Sequence, residues 1–203
     1  MITIIDYGLG NIKAFVNIYN QLNIKCSIAS NKKELEDSTK LILPGVGSFD
    51  HAMSLLNKSG MRDSIENKVI DRKIPILGIC VGMQILANSS EEGDMEGLGF
   101  IEGHVKKFLS EDLSGLPLPH MGWNNVQHNS SEDLFLDIKD KSRFYFLHSF
   151  YFECKKNIHA IASSHYGKDF KCAIKKDNIF GVQFHPEKSH NCGTKLLKNF
   201  SLL

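Results

Sequence analysis

The stretch GICVGMQIL, Gly78 to Leu86, sets Cys80 between two glycines directly after the apolar run IPIL, Ile74 to Leu77. Gly-x-Cys-x-Gly at the join of a strand and a helix has the spacing of a nucleophile elbow, in which a tight turn leaves no room for side chains on either side of the nucleophile. Cys80 then projects from the turn. The N-terminus of the following helix favours its thiolate, and the amide of Val81 faces any oxyanion formed at an attacked carbonyl. Taken without its neighbours, the same cysteine reads as buried packing. A thiol nucleophile needs a base, and among the nine histidines His185 in GVQFHPEKS stands out. It ends an apolar run and is fixed by Pro186, and Glu187 two residues on can hold and polarise the imidazole. A second glycine loop, LILPGVGSF from Leu41 to Phe49, can bring its peptide groups close to a substrate and offer N–H donors to developing negative charge, although alone it also reads as an ordinary strand-ending turn. His51, His104, His128, His159, His165 and His190 have no comparable partner and read as ordinary polar or packing residues. His120 and His148 lie in unusual local sequences and stay open.

These residues must be carried by a fold that brings distant segments together. Ile2 to Ile5, Cys26 to Ala29, Lys40 to Leu43 and Ile74 to Ile79 have the composition of buried strands. Ile12, Phe15, Tyr19 and Leu22 recur at helical spacing, and a second helical stretch is predicted over about Phe49 to Val69. That βαβα order predicts a mainly parallel sheet flanked by helices. In the second half, RFYFLHSFYF, HAIASSHY, FKCAIKK and NIFGVQF read as closely spaced strands added in antiparallel fashion, and GTKLLKNF, Gly193 to Phe200, as a closing helix. No repeat or linker divides the chain, so one domain over residues 1–203 is expected.

Composition narrows the function. The 203 residues suit one well-buried core, and 24 basic against 23 acidic side chains leave a formal charge of +1. This gives no general attraction to nucleic acid or to an anionic membrane. Five cysteines, scattered singly without a C-x-x-C pair, argue against a disulfide framework and a structural zinc site and point to the reducing cytosol. No uninterrupted apolar segment is long enough to span a bilayer. The early DYGLGN, Asp6 to Asn11, is discounted as a dinucleotide fingerprint because Lys13 stands where the third glycine belongs.

Assembled, the chain resembles the class I, or triad, glutamine amidotransferases, and within them the glutaminase subunits of imidazole glycerol phosphate synthase. The segments DYGLGNI, LPGVGSF, GICVGMQIL, SSEEG, GLGFIEG, PHMGWN, FYFLHS and GVQFHPEKS follow in the family's order over essentially the full length. The resemblance implies the family's α/β, flavodoxin-like fold. It implies that Cys80 is the nucleophile, His185 the base and Glu187 the third member of a triad, with Val46, Gly47 and Val81 at the oxyanion. It implies further that Gly47, Gln84 and Glu92 bind L-glutamine, and that Trp123, Tyr145 and Lys188 lie near a partner subunit and the ammonia exit. No metal and no organic cofactor are implied. The implied partner is a cyclase or synthase subunit of (β/α)₈-barrel type in a cytoplasmic heterodimer, with neither nucleic acid nor membrane involved. Stretches such as NIKAFVNIYNQL and HPEKSHNCGTKLLKNF also resemble second-copy amidotransferases associated with surface polysaccharides, in which the ammonia aminates a sugar intermediate instead.

Overall fold

The computed structural model describes residues 1–113, 115–129 and 131–203. The chain begins with β1 (Ile2–Ile5), α1 (Ile12–Gln21), β2 (Cys26–Ala29), β3 (Lys40–Gly45) and α2 (Phe49–Lys58). It continues through α3 (Arg62–Glu66), β4 (Ile76–Cys80), the single turn α4 (Val81–Gln84) and the short β5 (Ser89–Ser90). Then come β6 (Gly103–Lys107), β7 (His120–His128), β8 (Ser142–His148) and β9 (Phe150–Cys154). The last elements are β10 (Ala160–Tyr166), β11 (Lys168–Lys176), β12 (Ile179–Val182) and α5 (His190–Leu202).

Among the described residues these strands form one mixed sheet in the order β2-β1-β3-β4-β12-β11-β10-β7-β8, with β9 pairing β11 and β6, and β5 pairing β6. The first five in that order run parallel and the rest of the path is antiparallel. The four residues of β1 and all five of β4 are buried, as strands covered on both faces must be. The connection from β1 to β2 runs one way along the sheet and that from β3 to β4 runs the other, so right-handed crossovers put α1 and α2 on opposite faces. Phe15 and Tyr19 are the buried stripe of α1, and the Tyr19 hydroxyl donates to the carbonyl of Leu197 in α5 at 3.1 Å.

Three details differ from the sequence reading. The helix predicted over Phe49 to Val69 is broken: α2 stops at Lys58, Gly60 takes φ +69°, and α3 starts afresh and runs into a π-helical turn at Asn67–Asp71. The closing helix starts three residues earlier than GTKLLKNF. The NIFGVQF strand is not an antiparallel addition on both sides, since β12 pairs parallel with β4 over Ile76–Ile79 and antiparallel only with β11. That parallel pairing carries the chain after Val182 to the same end of the sheet as Cys80.

Candidate active site

β4 ends in Cys80, whose φ of 56° and ψ of −114° lie where a non-glycine residue is strained by about 1–3 kcal/mol. The two glycines explain how the strain is accommodated. A Cβ on Gly78 would meet the carbonyl oxygen of Gly82 at 2.5 Å, and one on Gly82 would run into the carbonyl oxygen of Leu43 on β3. The turn therefore packs backbone against backbone. The helix after the elbow is shorter than the sequence suggested, because α4 is one turn long, and a single turn has too small a dipole to hold the thiolate alone. One side chain and one backbone carbonyl reach the sulfur. Gln183 donates its amide to Cys80 Sγ at 3.7 Å, and the thiol reaches the carbonyl of Leu147 at 3.8 Å.

His185 follows β12 and is held by its backbone: its N–H donates to the carbonyl of Tyr145 at 2.8 Å, and its own carbonyl accepts from the Ser189 hydroxyl at 2.6 Å. Pro186 opens a 3₁₀ turn, Pro186–Lys188, that folds Glu187 back onto the ring. Nδ1 of His185 lies 2.8 Å from Glu187 Oε1, with both side chains almost wholly buried. Burial alone would lower the pKa of His185, but its interactions with Cys80 and Glu187 outweigh that and push it up to about 10. The imidazole, once protonated, is thus held as imidazolium beside the sulfur.

Cys80 and His185 line a cavity of about 240 Å³ together with Val46, Gly47, Val81, Gln84 and Glu92. The space fits one amino acid better than a nucleotide. Leu147 to Phe150 form a further part of its wall. Gln84 is buried and donates to the carbonyl of Phe150 at 3.2 Å and to Gln183 Oε1 at 3.0 Å. Glu92 Oε2 accepts from the backbone N–H of Phe49 at 2.9 Å, so its carboxylate caps α2 as well as facing the cavity. Burial raises the pKa of Glu92, the Phe49 N–H opposes that, and Asp50 adds to it. Among the described residues no group of three or more His, Cys, Asp or Glu side chains is arranged to hold a metal ion.

Trp123, Tyr145 and Lys188 do not line this cavity; they form a cluster beside it, behind His185. Lys188 Nζ lies 5.6 Å from the centre of the Tyr145 ring, and the Trp123 and Tyr145 rings are 6.1 Å apart and nearly perpendicular. Trp123 and the neighbouring Met121 are exposed on one face of β7. His190, read from sequence as ordinary, stacks on Trp123 at 4.9 Å and 10°. The sequence reading also missed Gln183 and the part played by DYGLGN. The Tyr7 hydroxyl donates to the carbonyl of Pro44 at 2.8 Å, so that motif buttresses the glycine loop between β3 and α2. Its signal was an aromatic residue beside two glycines, legible only once the loop it supports was known.

Comparison with known proteins identifies the family. The sequence model of the family described as "Glutamine amidotransferase class-I" matches residues 3–202. The chain is 55% identical over 202 residues, 99% of either chain, to "Imidazole glycerol phosphate synthase subunit HisH" of Bdellovibrio bacteriovorus. It is 52% identical over 204 residues, the whole of both chains, to the protein of the same name in Leptospira interrogans. In fold it is similar to the crystal structure of a glutamine amidotransferase from Thermotoga maritima, with a TM-score of 0.64 at 18% identity, covering 98% of this chain and 81% of that one. With a family match across almost every residue and a cysteine, histidine and glutamate gathered at one end of the parallel strands, the chain belongs to the class-I glutamine amidotransferases.

Proposed function

We propose that this chain is the glutaminase subunit of imidazole glycerol phosphate synthase, one amidotransferase domain over residues 1–203 that hydrolyses L-glutamine and passes the ammonia to a cyclase subunit. The observation that carries this reading is the buried His185–Glu187 pair at 2.8 Å, set in the same amino-acid-sized cavity as Cys80. The names of its full-length relatives support the histidine-pathway acceptor.

In this reading His185 is the base that takes the Cys80 proton as the sulfur attacks, and its raised pKa favours holding that proton. The sulfur attacks the carboxamide carbon of glutamine, and backbone N–H groups at Val46, Gly47 and Val81 stabilise the oxyanion. The imidazolium then gives its proton to the departing ammonia, leaving a glutamyl thioester. The neutral imidazole, oriented by Glu187, next takes a proton from water, and hydrolysis releases glutamate. Gln84 and Glu92, which line the same cavity, bind the substrate. Ammonia becomes non-nucleophilic ammonium in neutral water, so it needs an enclosed path into a partner of (β/α)₈-barrel type. The exposed Trp123, with Tyr145 and Lys188 behind it, supports a docking face there. Five free cysteines support a reducing, cytoplasmic setting.

The test has two arms. Glutamate release from glutamine by the complex checks the chemistry, and turnover of peptides instead would replace it with a hydrolase. Rescue of a histidine auxotroph lacking its own glutaminase subunit, with the native partner co-expressed, checks the acceptor. Failure there despite good glutaminase activity would favour amination of a surface sugar.

A further inference from the structure

His120 and His148, which take no part in the proposed catalytic steps, form a buried pair at the cavity wall. Nδ1 of His148 lies 2.7 Å from the carbonyl oxygen of Phe150. A carbonyl can only accept, so this nitrogen carries the proton and Nε2 of His148 is the acceptor. Nδ1 of His120, 3.0 Å away, must then donate to it. Nε2 of His120 is left to accept, and Asn124 Nδ2 supplies the donor at 3.2 Å. The orientation of the Asn124 amide is fixed independently, because Nδ2 also donates to the carbonyl of His165 at 2.7 Å while Oδ1 accepts from the N–H of Asn125 at 2.8 Å. Every hydrogen bond therefore points one way, from Asn124 through His120 and His148 to the carbonyl of Phe150.

The pair is also clamped. His120 is stacked between Phe146 at 4.8 Å and Tyr166 at 4.0 Å, and His148 packs against Phe108 and Phe170. Burial depresses both pKa values, His120 to about 4 and His148 to about 3, the latter lowered further by His120, so both rings stay neutral at working pH. The chain of bonds starts on β7 next to Trp123 and ends on the Phe150 carbonyl, where Gln84 also donates.

We propose that His120 and His148 are positioning residues for glutamine: their one-way hydrogen-bond chain fixes the Leu147–Phe150 wall of the cavity and ties it to the strand that carries Trp123. The inference rests on the glutaminase reading. It predicts that loss of the bond to Phe150 weakens substrate binding more than it slows the chemistry. An asparagine at position 148 places its amide nitrogen near that of Nδ1 and keeps the donor, whereas phenylalanine keeps only the packing.

The experiment is steady-state glutamine hydrolysis by the complex of this chain with its cyclase subunit, comparing wild type, His148→Phe and His148→Asn. The expected result is a KM raised by about fivefold or more in His148→Phe with kcat changed less than KM, and a KM in His148→Asn below that of His148→Phe. A smaller rise in KM, a fall in kcat alone, or equal behaviour of the two variants overturns the proposal. Nitrogen-resolved NMR of the unmodified protein keeps the idea testable if a variant fails to fold. Protons on Nδ1 of both rings are expected, and a proton on Nε2 of either overturns the chain. Failure of wild type to release glutamate would instead retire the glutaminase reading.

Discussion

The hydroxyl of Tyr7 donates to the carbonyl oxygen of Pro44 at 2.8 Å and joins the segment after β1 to the glycine loop after β3. Both partners are buried. Tyr7→Phe therefore strands an acceptor and is expected to cost about 1–3 kcal/mol in urea unfolding. Burial, and after it the charge of Cys80, raise the pKa of Tyr7 well above the usual tyrosine value, so the phenol stays protonated. The loss in the variant should then be the same from pH 6 to 9, and a strong pH dependence would mean that another group causes it.

Cys80→Ala is expected to lower glutamine hydrolysis by at least about a thousandfold, while synthesis from added ammonium salts in the complex survives. His185→Ala should behave similarly. Glu187→Gln should stay above the Cys80→Ala background, because an orienting group costs less to lose than a nucleophile. Wild-type glutamate release by Cys80→Ala would show that the nucleophile lies elsewhere.

The pKa of His185 is about 10 in the folded protein against an ordinary value of 6.5. A pKa raised on folding contributes stability that is fully present below pH 6.5 and is lost as the pH rises through about 10. The stability difference between wild type and His185→Gln, measured by urea unfolding, should accordingly shrink from pH 6.5 upward. In Cys80→Ala, NMR titration of His185 should give a lower pKa, since one of its two supports has gone. A difference that grows with pH would contradict the imidazolium.

The two glycines of the loop, Gly45 and Gly47, are not equivalent. A Cβ on Gly45 would lie 2.7 Å from the backbone N of Gly82 and 2.9 Å from the Tyr7 hydroxyl, so Gly45→Pro should destabilise the fold. Gly47 has φ +106° and open space around it. Gly47→Ala, strained by about 1–2 kcal/mol at that positive φ but free of clashes, should lower the melting temperature by only a few degrees and depress glutamine turnover by about ten- to a thousandfold through a misplaced oxyanion donor. Equal loss of melting temperature in both positions would refute the distinction.

The elbow, the histidine and its glutamate were legible because each depends on neighbours in sequence: Gly78 and Gly82 around Cys80, Pro186 and Glu187 around His185. The first four strands were legible for a similar reason, since continuous apolar runs such as ITII suit strands buried on both faces. β6 and β7 were not, because strands with alternating exposure such as HMGWNNVQH carry half their residues outward and lack an apolar run. His148 stayed open because its partners, His120 and the Phe150 carbonyl, meet it only through the pairing of β7 with β8 and the turn into β9. Glu92 was carried by resemblance alone, and its second task as a cap for α2 depends on Phe49, 43 residues away.

β12 lies between β4 and β11 in the sheet, yet it is the last of the five parallel strands to be synthesised. Gln183, which touches the Cys80 sulfur, is 103 residues downstream of it. On the ribosome the long edge of β4 consequently waits unpaired, and this distant pairing is the kind of contact that folds slowly and exposes a chain to aggregation. The same delay acts as a safeguard. A nascent or prematurely terminated chain that ends before β12 possesses the thiol but neither the imidazole nor the glutamate that would activate it, so no fragment can squander glutamine before the sheet has closed.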